Sequence, residues 1–489
     1  MNKSTRNEKG GGSFKFVSAS RLRSAYESGE TDPVRVAETV LNGVTAWDSE
    51  EYPMRAFIAQ RADDVLEAAR ESKKRYEKKA TLGRLDGIPV AVKDEFYQRG
   101  YPITVGTSFL GGSPVTYDAT PVAKLRSAGA VLLGKTNMHE VGIGVTGINP
   151  HHGPARNPYD KKRITGGSSS GSAAAVAAGF CPIALGADGG GSVRIPAALC
   201  GVVGLKPTYG RVSEYGLYPL CWSVGHVGPL AASVEDAALA LEFIGGVDEK
   251  DHTTRFQPKL KMDYPLGVSL SKLRLGICKD FFDGADEEVK RVCMGVVRKL
   301  EEGGAVVVDV DIPHLDLVRP VQYVTIGVEM AAALYELRRD HKTDFGADTR
   351  VFLATASSVP AVDYVRAQRL RTRISRAFNS ALADIDVLVS PMTSRAAVPI
   401  RPDALSDGES DQEVLEAMTA FSFAANITGL PALTVPAGYD GSGMPVGVQL
   451  TGKTWSEPTL LGVGAEVERL VDLKRPERHL ELLAESGKG

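Results

Sequence analysis

A series of short apolar runs most constrains what this chain can fold into: GIPVAVKDEF (87–96), AVLLGKT (130–136), CPIALGAD (181–188), RLGICKD (274–280), AVVVDVDI (305–312) and DVLVSP (386–391). Each is bounded by Gly, Pro or charged residues and separated from the next by a stretch of helical periodicity, the pattern of an α/β fold in which helices cover a sheet. TDPVRVAETVLNGV (31–44) reads as a helix with Thr31 as N-cap and Pro33 in its first turn; RADDVLEAARESKKRYEKK (61–79) reads as a charged helix whose inner face is Val65, Leu66 and Ala69. Ala173 to Ala187 is the longest weakly polar run. It falls short of the roughly 20 apolar residues that span a bilayer, so it is expected to be a buried helix followed by a strand, with no integral membrane segment. Residues 279–383 predict ordinary amphipathic helices around one strand, and 390–413, rich in Pro, Asp and Ser, predicts an aperiodic loop that is either disordered or a lid. The polar, glycine-rich residues 1–13 read as a disordered tail rather than a signal peptide, and residues 14–489 as a single domain.

Charge narrows the function classes. Lys plus Arg number 57 against 60 Asp plus Glu, with no basic block interleaved with aromatics, so nucleic acid is not an expected partner. The five cysteines show no C-x-x-C spacing, which argues against a disulfide framework or a zinc ribbon and for a reducing, cytoplasmic setting. His151 and His152 are adjacent and lack metal-ligand spacing, so neither metal nor cofactor is expected.

Two motif matches mislead. GAVLLGKT (129–136) fits the phosphate-loop pattern, but its variable positions are themselves a buried strand and its helix comes before rather than after. GSSSG (167–171) fits a nucleophile elbow at Ser169, yet the segment before it is charged and turn-like, and the late histidine that an elbow needs would be His479, in a stretch that reads as an exposed tail helix.

Three other segments carry the chemistry: RITGGSSSGSAAAVAAG (163–179), a Gly/Ser loop opening an Ala-rich helix; GADGGGSVRIPAALCGVVGLKPTYGRVS (186–213), a strand end, a triple-glycine turn and a second helix; and LDGIPVAVKDEF (85–96), an apolar strand with one lysine. Taken singly, each has a plain structural reading. Glycines permit close backbone approach, a serine at a helix start is usually a cap, and a lysine ending a strand usually reaches water. Together, and with GKTNMHEVGIGVTGINPHHGPARNPYD (134–160), VGHVGPLAASVEDAALAL (224–241), DVLVSPMT (386–393) and ITGLPALTVPAG (427–438), they resemble the amidase signature family of serine hydrolases over about Ala56 to Glu466.

The resemblance implies a central mixed sheet covered by helices on both faces. It also makes Ser192 the nucleophile, Ser168 the bridging serine after a cis Gly167–Ser168 bond, and Lys93 the base. A free lysine is no base at neutral pH, but an apolar strand disfavours the ammonium and favours the amine. The resemblance further implies an oxyanion hole from Gly189, Gly190, Gly191 and Ser192, a turn braced by Asp188 and Arg194, hydrogen-bond support from Ser169 and Ser170, and a homodimer as a common assembly. Pocket residues are expected from Gly142, Ile143, Gly144, Val145, Thr146 and Ile148 and from Met392, Met418, Phe421 and Phe423, with no charged cluster in those stretches.

Two positions depart from the commonest family pattern: Ser170 stands for a glycine and Gly189 for a threonine. Both resemble the branch similar to plant fatty acid amide hydrolases, so the expected substrate is a small apolar amide, with carbamates, anilides and esters as further candidates. The alternative is the glutaminase-type subunit of a tRNA-dependent amidotransferase, working within a complex.

Overall fold

The computed structural model describes residues 14–402, 404 and 411–483. The expected tail at 1–13 and the centre of the expected 390–413 loop lie outside the described residues.

The apolar runs form one mixed sheet of eleven strands. From one edge the order is Phe57–Ala59, Val131–Thr136, Pro89–Lys93, Ile183–Ala187, Val227–Ala231, Val203–Lys206, Ala432–Tyr439, Pro445–Gly452, Val387–Pro391, Arg274–Ile277 and Val306–Asp309. Pro89–Lys93 is parallel to both of its neighbours, and all five of its residues are buried. A strand covered on both faces needs an unbroken apolar run, and PVAVK is one except for its last residue. The register sets Val92 beside Leu185 of the next strand. Lys93 and the turn at 188–193 therefore emerge from the same end of adjacent parallel strands, the edge at which open α/β sheets place their ligands.

Helices flank this sheet. Ser170–Ala177 is buried on every side, as a helix without a polar face must be. Its seat is tight at Gly171, where a Cβ would fall 2.2 Å from the Ala56 carbonyl oxygen. The helix Pro33–Asp48 is capped by Asp32, which accepts from Val34 and Arg35 N–H at 2.9 and 3.1 Å, and not by Thr31. Because Pro33 occupies the first helical position, the cap falls on the residue directly before it. In Ala62–Glu77 the buried stripe is Val65, Ala69 and Ser72, with Leu66 half-buried; Ser72 reaches inward because its hydroxyl bonds Asp86 at 2.7 Å. Residues 279–381 fold as helices around the strand Val306–Asp309, as the periodicity predicts.

One buried acid makes stability pH-dependent. Asp236, at the start of helix Val234–Ile244, accepts from Ala19 N–H at 2.9 Å and from the Ser233 hydroxyl at 2.8 Å, and burial pushes its carboxyl up to about 7. The folded state therefore holds a proton that the unfolded chain releases near pH 4, so the stabilisation is complete below about pH 4 and is lost as pH rises through about 7. Thermal unfolding is expected to show Tm falling between pH 5 and pH 8, by an amount on the order of 1–4 kcal/mol in stability, and Asp236→Asn should flatten that slope. An unchanged slope in the variant would assign the effect elsewhere.

Candidate active site

The end of strand Pro89–Lys93 delivers Lys93 to the floor of a cavity of about 560 Å³. Its Nζ lies 2.9 Å from Ser168 Oγ, 2.6 Å from Glu95 Oε2 and 3.4 Å from the Ala187 carbonyl, and the side chain is 1% exposed. Ser168 stands in the loop before helix Ser170–Ala177, and the Gly167–Ser168 peptide bond is cis. Ser192 lies in the turn between strand Ile183–Ala187 and helix Arg194–Leu199. The two serine-bearing segments are joined by Ser169 N–H donating to the Ser192 carbonyl at 3.2 Å. Lys93, Ser168 and Ser192 all line the same cavity.

The glycine turn is held from behind. Asp188 accepts from the N–H groups of Gly191 at 2.7 Å, Val193 at 3.1 Å and Arg194 at 3.4 Å, and from the Arg194 guanidinium at 3.0 Å on both oxygens. Burial works to raise this carboxyl, but the Arg194 guanidinium and the Asn426 amide outweigh it and hold the group far below the usual carboxylate range. Arg194, wholly buried, directs its remaining N–H groups to the Ser422 carbonyl, Gln449 Oε1 and Asn426 Oδ1, at 3.0, 2.6 and 2.6 Å. The structure brings Asp188 and Arg194, both named from the sequence, together at this turn, while Ser422, Asn426 and Gln449 went unread.

The four expected oxyanion donors divide. Gly191 N–H is committed to Asp188, so this N–H does not point to an oxyanion in this arrangement. Its φ of +118° and the crowding of a Cβ against Ile195 and Ser422, at 2.6 and 2.7 Å, require glycine for backbone reasons. Gln322 donates to the Gly189 carbonyl at 2.7 Å. Peptide planarity then aims the next N–H, that of Gly190, the opposite way. Gln322 sits on helix Leu315–Ala333, far along the chain, and no local pattern marks it. The departure at Gly189 also has a cause, since a Cβ there would come 2.7 Å from Cys221 Sγ and 3.2 Å from Ile326 Cδ1.

Of the expected pocket residues, Gly142, Ile143, Gly144, Val145 and Phe423 line the cavity, and a Cβ on Gly142 would lie 3.7 Å from Ser168 Oγ. Thr146, Ile148, Met392, Met418 and Phe421 are not among its lining residues. Met392 and Met418 are fully buried in the main core, the ordinary destination of an apolar side chain beside a strand. Ser169 and Ser170 bond the Ala187 and Asn137 carbonyls, at 3.3 and 3.4 Å, and so support backbone.

Sequence reasoning missed most of the wall: Leu217 to Trp222, Tyr323, Ile326 and Met330 on helix Leu315–Ala333, and Val351, Phe352 and Thr355 on helix Ala347–Ser357. It also missed three acids among the lining residues, Glu95, Glu214 and Asp348. Burial first, then the carboxylates of Asp251, Glu95 and Glu329, push Glu214 up to about 8.

His479 is not in an exposed helix. It is buried, its Nδ1 lies 3.2 Å from the Ala177 carbonyl, and its ring packs edge-on to Phe14 and Phe16. Ser169 and His479 are thus each engaged elsewhere. His151 and His152 bind Glu140 and the Thr107 carbonyl, at 2.5 and 3.1 Å, and join no metal-holding cluster among the described residues. No helix among those residues is long and apolar enough to cross a membrane.

Known proteins resemble this chain in sequence and in fold. The family model for amidases matches residues 46–461. A fatty acid amide hydrolase of Oryza sativa is 40% identical over 459 residues, 92% of this chain and 76% of the relative. A glutamyl-tRNA(Gln) amidotransferase subunit of Koribacter versatilis is 35% identical over 477 residues, 92% of this chain and 97% of its own. The native peptide amidase from Stenotrophomonas maltophilia superposes with a TM-score of 0.82 at 30% identity, covering 95% of this chain and 98% of that one. Fold, family match and relatives agree, and the chain belongs to the amidase signature family of amide-hydrolysing enzymes.

Proposed function

We propose that this protein hydrolyses small apolar amides through an acyl-enzyme on Ser192, with Ser168 relaying its proton to Lys93. The observation that carries the reading is the 2.9 Å contact between Lys93 Nζ and Ser168 Oγ on the floor of the cavity that Ser192 also lines. As Ser192 Oγ bonds to the carbonyl carbon, its proton passes to Ser168 Oγ while Ser168 gives its own to the Lys93 amine. The carbonyl electron pair moves to the oxygen, where Gly190 and Ser192 N–H groups receive it. Collapse breaks the C–N bond, and the proton returns through Ser168 to the leaving nitrogen. Water then repeats the sequence and frees the acid.

The walls support an apolar substrate class. Ile143, Val145, Leu220, Ile326, Met330, Phe352 and Phe423 suit a hydrophobic acyl or aryl group, so carbamates, anilides and esters with apolar substituents fall within reach. All five cysteines are free, which fits work in the cytoplasm. For a p-nitroanilide series of increasing acyl length, kcat/KM is expected to climb by roughly fourfold per methylene until the cavity is full. A flat or falling series would overturn the apolar assignment. The amidotransferase-type alternative would show instead as glutamine hydrolysis that depends on further protein components.

A further inference from the structure

The proposed base has a neighbour that the proton relay does not use. Glu95, two residues beyond Lys93, is 7% exposed in its side chain, and its Oε2 stands 2.6 Å from Lys93 Nζ, closer than Ser168 Oγ at 2.9 Å. Residues 94–97 leave the strand in a turn closed by Phe96 N–H on the Lys93 carbonyl at 3.1 Å, which folds the Glu95 side chain back over the lysine that precedes it. Glu95 is also held through its own carbonyl, which accepts from Tyr218 N–H at 2.9 Å.

We infer that Glu95 is the counter-ion of the ammonium that Lys93 becomes during acylation, and so a positioning residue that sets both the pH at which the site switches on and its limiting rate. This rests on the reading of Lys93 as base. The proton inventory carries the argument. Before attack, the reactive form is the Lys93 amine beside the Glu95 carboxylate. When Ser192 Oγ–H has passed its proton through Ser168, the lysine is an ammonium in a site almost closed to water. An isolated buried cation is costly, whereas one in contact with a carboxylate is balanced. No atoms or electrons change hands at Glu95; its charge is present throughout and gains an opposite partner as the transition state forms. The same charge is a disadvantage at low pH, since it also favours the ammonium in the resting enzyme, where a protonated lysine cannot act.

Other charged groups face this pair, and none substitutes for Glu95. Glu214, whose carboxyl is pushed up to about 8 and is therefore mostly uncharged at neutral pH, and Glu329 lie near the pair, and Cys221 is a half-buried thiol pushed well above its ordinary range by burial and then by Glu214, Glu95 and Glu329. Asp251 stands beside Glu214, accepting from its N–H at 2.8 Å. From the adjoining strand, Lys135 is tied to the Phe96 carbonyl and lies 3.5 Å from Asp94 Oδ1, and Asp94 is further bound by Thr104 and Gly106. Asp188, beyond the Ala187 carbonyl, is neutralised by Arg194.

The two consequences have opposite signs, which separates this role from mere structural support. In Glu95→Gln, the acidic limb of the kcat/KM profile on an uncharged p-nitroanilide is expected to move toward lower pH by roughly one unit or more, because the resting ammonium loses its partner. The alkaline plateau is expected to fall by about tenfold or more, because the ammonium formed in the transition state loses it too. A plateau that falls while the limb stays within about 0.3 pH units of wild type, or a limb that moves toward higher pH, would overturn the inference. Glu95→Asp, with a carboxylate withdrawn by one methylene, should lie between wild type and Glu95→Gln in both readouts, and it carries the test alone should Glu95→Gln not fold. Lys93→Ala separates the two levels. If that variant stays active, the base assignment fails; if it is inactive and Glu95→Gln leaves the limb in place, the counter-ion role fails by itself.

Discussion

Ser192→Ala is expected to lower kcat/KM by about 10⁴-fold or more, with the fold intact. The exchange removes one oxygen from a residue in a braced turn, whose Asp188 and Ser169 contacts run through backbone N–H and C=O groups that alanine keeps. Loss of activity with unchanged Tm would therefore report chemistry rather than unfolding. A serine-directed phosphonate should add its mass to wild type on the peptide holding Ser192 and to none in the variant; label recovered on Ser169 would instead revive the elbow reading. Lys93→Ala should cost a comparable factor. The double variant should be scarcely worse than either single one, since groups that act as one relay lose nearly everything with the first member. A Ser192→Ala enzyme keeping more than about a tenth of wild-type activity would sink the mechanism.

Arg194→Met is expected to destabilise the protein by about 3–5 kcal/mol, the penalty of leaving a buried carboxylate without its partner. Asp188 and Arg194 are both wholly buried, and the guanidinium joins the glycine turn to Ser422, Asn426 and Gln449. Lysine should not rescue it, because one ammonium cannot reproduce a planar fork that meets two carboxylate oxygens and three further acceptors. Denaturant midpoints and Tm measure the effect, and a loss under about 1 kcal/mol would show that the network contributes geometry without stability. Activity should fall further than stability alone explains, since the freed Asp188 no longer holds Gly191 and Val193 N–H in place.

These two expectations differ in how far the sequence could reach them. The apolar strand PVAVK ending in Lys93, the serine loop at 167–170 and the triple-glycine turn are local statements, and each became the element its residues called for. The partners of Arg194 are different: Ser422, Asn426 and Gln449 stand more than two hundred positions away and are polar residues of ordinary composition. Glu95 was in plain view two residues from Lys93, yet strand alternation alone leaves unsaid whether the chain turns at that point and brings the acid back over the amine.

The pocket shows the same division. Ile143, Val145, Met392 and Met418 are alike as apolar side chains, yet the first two border the cavity and the last two are core. Periodicity marks which face of an element turns inward. It says nothing of whether the space facing it is filled by another side chain or left open for a substrate. Backbone demands are met by neighbours in sequence, so apolar runs, helix caps and obligatory glycines can be read from short stretches, and the residues proposed as catalytic follow from their resemblance to a known constellation. Charge pairing, the aim of the Gly190 N–H and the boundary of an empty space depend on distances between segments that only the packed chain brings together, as Gln322 on Gly189 and Cys221 against the same glycine demonstrate.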